Sequence, residues 1–147
     1  MYRLLALLIL LGQCASSYAS LGAAPSDFSN DQARIKPRVL ARANNSYQVN
    51  ESTLPGGTLV REYVTPGGLV FAVSWSGPFL PDLRNLLGKH FTTLSDEAAK
   101  SPKAGHSQLQ LARPDIVIES GGHMRAYVGR AWIPSAFPSG VTPDNIE

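Results

Sequence analysis

A chain of 147 residues with 44% hydrophobic and 16% charged side chains has the composition of a single folded domain, neither low-complexity nor fibrous. Two independent cores at this length would each be marginal. Thirteen Lys and Arg against eleven Asp and Glu, a formal charge of +2, lack the basic excess of a dedicated nucleic-acid binder.

The first nineteen residues read as an export signal. Arg3 supplies the positive start, Leu4 to Leu11 is an unbroken apolar run, and Ser17-Tyr18-Ala19 offers small residues where a signal peptidase cuts. Eight apolar residues fall well short of the roughly 20 that span a bilayer, so no transmembrane anchor is expected. Cys14 follows Gln13 rather than a small residue, which speaks against a lipoprotein signal; it leaves with the signal, and the exported chain has no Cys for disulfides or thiol chemistry. The expected destination is periplasmic or extracellular.

Residues 20–45 are rich in Ala, Ser and Asn and broken by Pro25 and Pro37, as in a flexible leader. Arg34, Lys36, Arg38 and Arg42 make it locally basic. A single domain is expected over 46–134, followed by a loosely held tail over 135–147 that Pro138 and Pro143 interrupt.

Within the domain, Tyr47 to Thr53 alternates with period two and predicts a strand. Leu54-Pro55-Gly56-Gly57 has type II turn chemistry, and Leu59 to Val64 predicts a second strand. Thr65-Pro66-Gly67-Gly68 repeats the turn before a third strand, Leu69 to Trp75. Two-residue loops would put Tyr47, Val49, Val60, Val64, Leu69, Phe71, Val73 and Trp75 on one face, with Glu51 and Glu62 as polar intruders. Pro81 and Asp82 then open a helix whose Leu83, Leu86, Leu87, His90, Phe91 and Leu94 form one apolar stripe, suited to covering that face. Gly88 inside the stripe suggests close approach to the sheet. After the loop Ser101-Pro102-Lys103-Ala104-Gly105, strands are predicted over Ser107–Ala112, Ile116–Glu119 and His123–Ile133, the last two joined by a Gly121-Gly122 turn. The expected class is α+β, an antiparallel sheet of β-β-β-α-β-β-β order with one helix on one face.

The stretches Val60-Arg61-Glu62-Tyr63-Val64, Phe71-Ala72-Val73-Ser74-Trp75-Ser76-Gly77-Pro78, Pro81-Asp82-Leu83-Arg84-Asn85-Leu86-Leu87-Gly88 and Ser120-Gly121-Gly122-His123-Met124-Arg125-Ala126, with Leu21-Gly22 near the start, resemble the DUF2844 family of exported bacterial proteins of unknown function. The resemblance covers about residues 21 to 135. It implies a bacterial envelope setting and carries no activity or catalytic residue with it.

Few constellations point to chemistry. His90, His106 and His123 stand 16 and 17 residues apart, without the close pair typical of metal sites, and no metal or cofactor is indicated. No Gly-x-Ser-x-Gly elbow holds a nucleophile, and Glu51 and Glu62 are the nearest approach to paired carboxylates. The same strand parity turns Arg61 and Tyr63 away from the helix. A two-residue Gly121-Gly122 loop would group His123, Arg125 and Tyr127, opposite Met124, Ala126, Val128 and Trp132. With the apolar group turned to the helix, Arg61, Tyr63, His123, Arg125 and Tyr127 form a shallow basic-aromatic patch for an anionic or glycan-like envelope component. The plain alternative is a solvated sheet face. The sequence therefore reads as a small exported binding or envelope-associated structural module. An enzyme with a site assembled from dispersed residues, and an assembly subunit that lends a sheet edge, stand as alternatives.

Overall fold

The computed structural model describes residues 21–25, 47–100 and 108–147, and the backbone of 38–41. The signal segment, the side chains of the basic stretch 34–42, and the 101–105 loop with His106 lie outside the described residues. The chain builds one antiparallel sheet from β1 (Arg38–Ala41), β2 (Gln48–Thr53), β3 (Leu59–Val64), β4 (Val70–Gly77), β5 (Leu109–Ala112), β6 (Val117–His123) and β7 (Ala126–Trp132). Its spatial order is β1-β2-β3-β4-β7-β6-β5, two meanders joined where β4 meets β7. The helical segment falls between β4 and β5, so the α+β class and strand order expected from sequence are observed, with β1 as an added edge strand.

The turns differ from expectation in a way that decides which side chains face where. In both Pro-Gly-Gly turns the second glycine carries the positive φ, 86° at Gly57 and 82° at Gly68. Type II turns would need it at the first. With Gly57 N–H donating to Leu54 O and Leu54 N–H to Thr58 O, this is a three-residue loop closed by a glycine bulge. Such a loop shifts pairing by one residue relative to a two-residue loop. Val49 therefore pairs with Tyr63 and Glu51 with Arg61, while Asn50 pairs with Glu62. Val49 lies on the face opposite Val60, and Glu51 and Glu62 lie on opposite faces, correcting the grouping read from sequence. In the second hairpin a bulge between Tyr63 and Val64 undoes the shift: Val64 pairs with Val70, yet Tyr63 pairs with Ala72 and Val60 with Trp75. Val60, Val73 and Trp75 share a face as expected, whereas Phe71, at the bulge, turns to the other side.

The helix is also interrupted. Asp82 is its N-cap, accepting from the backbone N–H groups of Arg84 and Asn85, and α1 (Leu83–Leu87) ends at Gly88 with φ 52°. One 3₁₀ turn, Gly88–His90, leads into α2 (Phe91–Lys100). Leu86, Leu87 and Leu94 are buried against Val60, Val64, Val73, Trp75, Ile118 and Ala131, with Leu83 and Phe91 at the margin. This is the larger core. Leu21 joins it at 1% exposure, its N–H donating to Leu86 O, so the described start of the expected flexible leader is docked.

The opposite face is covered too, contrary to the expectation of a loose tail. Two 3₁₀ turns, Pro134–Ala136 and Pro143–Asn145, carry the chain back across the sheet. Phe137, Val141 and the buried Ile146 pack on Val49, Tyr63, Phe71, Ala72 and Trp132. Phe71 is the hub of this smaller cluster, with the rings of Tyr47, Tyr63 and Phe137 at centroid distances of 5.7, 6.2 and 5.3 Å.

Candidate functional site

The tail covers only part of the outer face, and what it leaves open is a hollow of about 520 Å³ across β3, β4, β7, β6 and β5. Pairing explains its depth. Ser74 stands between Arg61 and Arg130, and Gly121 sits opposite Val128, so short residues form the floor between longer ones. Ser76, Leu59 and Gln110 extend it towards the strand ends, and Ile146 and Glu147 close one side.

Two ion pairs frame the hollow, each between residues directly opposite on neighbouring strands. Arg61 Nε meets Glu51 at 2.9 Å, and Arg130 Nε meets Glu119 at 2.7 Å. One further nitrogen of each guanidinium holds the tail: Arg61 Nη1 donates to Glu147 O at 3.2 Å, and Arg130 Nη1 to the carbonyls of Pro143 and Ile146 at 3.2 and 3.3 Å. Tyr63 Oη donates to Glu147 O and accepts from Glu147 N–H, both at 2.9 Å, and Ser74 Oγ donates to the same oxygen. Arg130 also lies over the Trp132 ring, 5.2 Å from its centroid. Each cation is thus neutralised by a carboxylate before any ligand arrives. Beside these pairs the hollow offers hydroxyl, amide and apolar groups, with Glu147 as a further acidic side chain in its wall.

The five residues grouped from sequence are not brought together. Arg61 and Tyr63 share the outer face, but Tyr63 is 2% exposed beneath the tail. Gly121 and Gly122 lie within β6, and the reversal falls at Met124-Arg125, where Arg125 takes φ 68°. His123 therefore pairs with Ala126 and ends β6, Arg125 occupies the turn, and Tyr127, paired with Gly122, points to the helix side. The apolar group expected to face the helix does not: Met124 and Val128 are exposed and Trp132 packs under the tail. The reason is Gly129. It pairs with Trp75 on the helix face, where a Cβ would stand 2.3 Å from Trp75 Cζ2. The indole needs that vacancy, and Gly129 fixes the parity of β7.

The family model for a protein of unknown function, DUF2844, matches residues 17–146. The chain belongs to the DUF2844 family. No curated protein and no solved structure matches it. The matched span of the DUF2844 chain begins before Leu21, which seals the helix-side core, and ends at Ile146, which closes the hollow. The family unit thus includes the tail as well as the sheet.

Sequence reasoning missed Ser74, Ser76, Glu119 and Arg130 as part of a site. The signal available was the alternation of Ser74 and Ser76 with Val73 and Trp75 in β4, which places two small hydroxyls on one face of a central strand. Among the described residues no group of three or more His, Cys, Asp or Glu is placed to hold a metal, and no helix is long and apolar enough to cross a membrane.

Proposed function

We propose that this DUF2844 protein is an exported binding module without covalent chemistry of its own, and that the outer hollow takes a neutral glycan segment of the cell envelope. The observation that carries the reading is the compensation of Arg61 by Glu51 and of Arg130 by Glu119. An anionic ligand would have to displace a carboxylate from each guanidinium. A neutral polyhydroxyl ligand can share the existing network, meeting Ser76 and Gln110 while its apolar edge rests on Val128 and Leu59. Export rests on the Arg3, Leu4–Leu11 and Ala19 pattern.

The test is an amide-shift titration with an uncharged N-acetylated oligosaccharide beside a phosphate-bearing one. Shifts at Ser76, Gln110, Gly121 and Val128 with the uncharged sugar, lost in Val128→Arg, support the reading. Preference for the phosphate-bearing sugar would reject it. A second reading, an extended peptide, is favoured by one observation: Arg61, Tyr63, Ser74 and Arg130 already hold main-chain oxygens, those of Pro143, Ile146 and Glu147. An unstructured peptide library competing at the same amides would select it. Intact-mass analysis of the envelope fraction tests export: a chain starting at Ser20 is expected, and a diacylated Cys14 would overturn it.

A further inference from the structure

Among the described residues five large apolar side chains are exposed, and three of them lie at one tip of the sheet. Phe79 is 60% exposed, Leu80 49% and Met124 88%; Val128, 55% exposed, faces the hollow, and Leu69, in the 65–69 turn, lies at the other end. The pairing brings them together. β4 runs out at Gly77 beside Tyr127, so the 77–82 segment leaves the sheet next to the Met124-Arg125 turn, and the 54–58 turn closes the other flank. Three chain reversals therefore end at one tip.

That tip is held in shape rather than left loose. The Thr58 hydroxyl donates to Phe79 O at 2.6 Å and accepts from Phe79 N–H at 3.2 Å, with Thr58 itself 1% exposed. Gly77 crosses Thr58 so closely that a Cβ would lie 2.5 Å from Thr58 Cα, and the Phe79 ring rests on Gly56. The backbone is pinned, and the apolar ends of Phe79, Leu80 and Met124 still face outward. Monomeric proteins seldom gather large apolar side chains this way without a partner for them.

Charge selects the partner. Arg125 and His123 are exposed at the tip, and the one acidic side chain there among the described residues, Asp82, is turned to the first backbone N–H groups of α1. Apolar side chains ringed by a cation suit the boundary between acyl chains and anionic headgroups, where a hydrophobic anchor and a basic group act together.

We propose that the tip formed by residues 54–58, 77–82 and 123–126 docks onto an anionic lipid surface, inserting Leu80, Met124 and part of Phe79 while Arg125 meets the headgroups. This site is separate from the outer hollow, and the assay below contains no glycan, so the two readings fail independently.

The experiment is co-sedimentation of the chain from Ser20 onward with phosphatidylcholine vesicles, with and without a quarter of phosphatidylglycerol, at low and at high salt. Binding is expected on the anionic vesicles and weaker at high salt. Leu80→Ser with Met124→Ser should reduce it about tenfold, and neither residue belongs to a core cluster. Arg125→Gly should abolish the preference for anionic vesicles, and glycine accepts the positive φ of that position, so folding is retained. Unfolding midpoints of all variants serve as the folding control. Wild-type protein left in the supernatant with both vesicle types would overturn the proposal, as would binding that the Leu80 and Met124 substitutions leave unchanged. Concentration-dependent self-association lost in those variants, without vesicle binding, would reassign the tip to a second copy of this chain and equally overturn it.

Discussion

Gly129 and His90 show how single side-chain environments constrain this protein. A methyl group at 129 would meet Trp75 Cζ2 at 2.3 Å, Cε2 at 2.5 Å and the Glu119 carbonyl at 2.9 Å, two sides of a space with no slack. Trp75 is 1% exposed at the centre of the sheet and has nowhere to move. Gly129→Ala is expected to cost about 2–3 kcal/mol, at the upper end for overpacking. Gly121→Ala, whose Cβ would stand 3.5 Å from Gln108 Cγ in ordinary contact, should cost less than about 1 kcal/mol. Urea denaturation of the two variants side by side checks the contrast. His90 is 8% exposed, and its pKa lies below the usual 6.5, chiefly because burial disfavours the charged ring and secondly because Lys89 repels it; Asp115, 4.0 Å away, opposes both. The unfolded chain therefore takes up this proton at higher pH than the folded one. Stability is complete above about 6.5 and declines as pH falls below it towards the folded pKa. Urea midpoints at mildly acidic and mildly basic pH should show this loss, and His90→Gln should shrink it.

At the scale of elements, the helical segment holds by its inner stripe more than by its length. α1 has five residues, too few to persist in water alone, so docking of Leu86 and Leu87 must stabilise it. Leu87 is 0% exposed, and Leu87→Ala is expected to cost on the order of 2–5 kcal/mol in chemical unfolding; a cost below about 1 kcal/mol would mean the helix is not seated there. The stripe itself was readable, because i, i+3, i+4 spacing does not depend on distant partners. Strand positions were readable for a similar reason: Pro-Gly-Gly punctuates the chain wherever it occurs. Facing was harder. It depends on whether the first or the second glycine takes positive φ, and both choices suit the same tripeptide. The second hairpin kept its expected facing for Val60 and Trp75 only because the Phe71 bulge cancelled the shift made by the longer loop. The first hairpin has no such bulge, and Val49 changed sides. For β7, the Gly121-Gly122 pair mimicked a turn, whereas Gly122 serves close packing within the ladder: a Cβ on it would lie 2.2 Å from Ala126 O. The candidate patch failed with that turn, since His123, Arg125 and Tyr127 owe their positions to where the chain reverses.

At the scale of the whole molecule, the sheet is a middle layer with a helical segment and Leu21 on one side and the tail on the other. β4 makes this visible, its first six residues buried on both faces. The run Val70-Phe71-Ala72-Val73 has apolar side chains on both parities, a sign of two-sided burial that does not fit a sheet with one solvated face. The tail supplies the cover through Phe137, Val141 and Ile146, and through main-chain oxygens that Arg61, Tyr63, Ser74 and Arg130 hold in place. Ending the chain after residue 136 would strip these contacts together. Tyr63 and Phe71 would be left in water at a cost of about 1.5–3 kcal/mol for each large side chain uncovered. The buried hydroxyls of Tyr63 and Ser74 would exchange protein partners for solvent, a smaller change. The shortened chain is expected to melt on the order of 10 °C lower and to bind more hydrophobic dye than the full chain. Phe137→Ala alone should give a fraction of that loss, because Ile146 and the bonds to main-chain oxygens still close the face. An unchanged melting temperature for the shortened chain would mean that the tail rests on the sheet without stabilising it, and the hollow would then lack its wall.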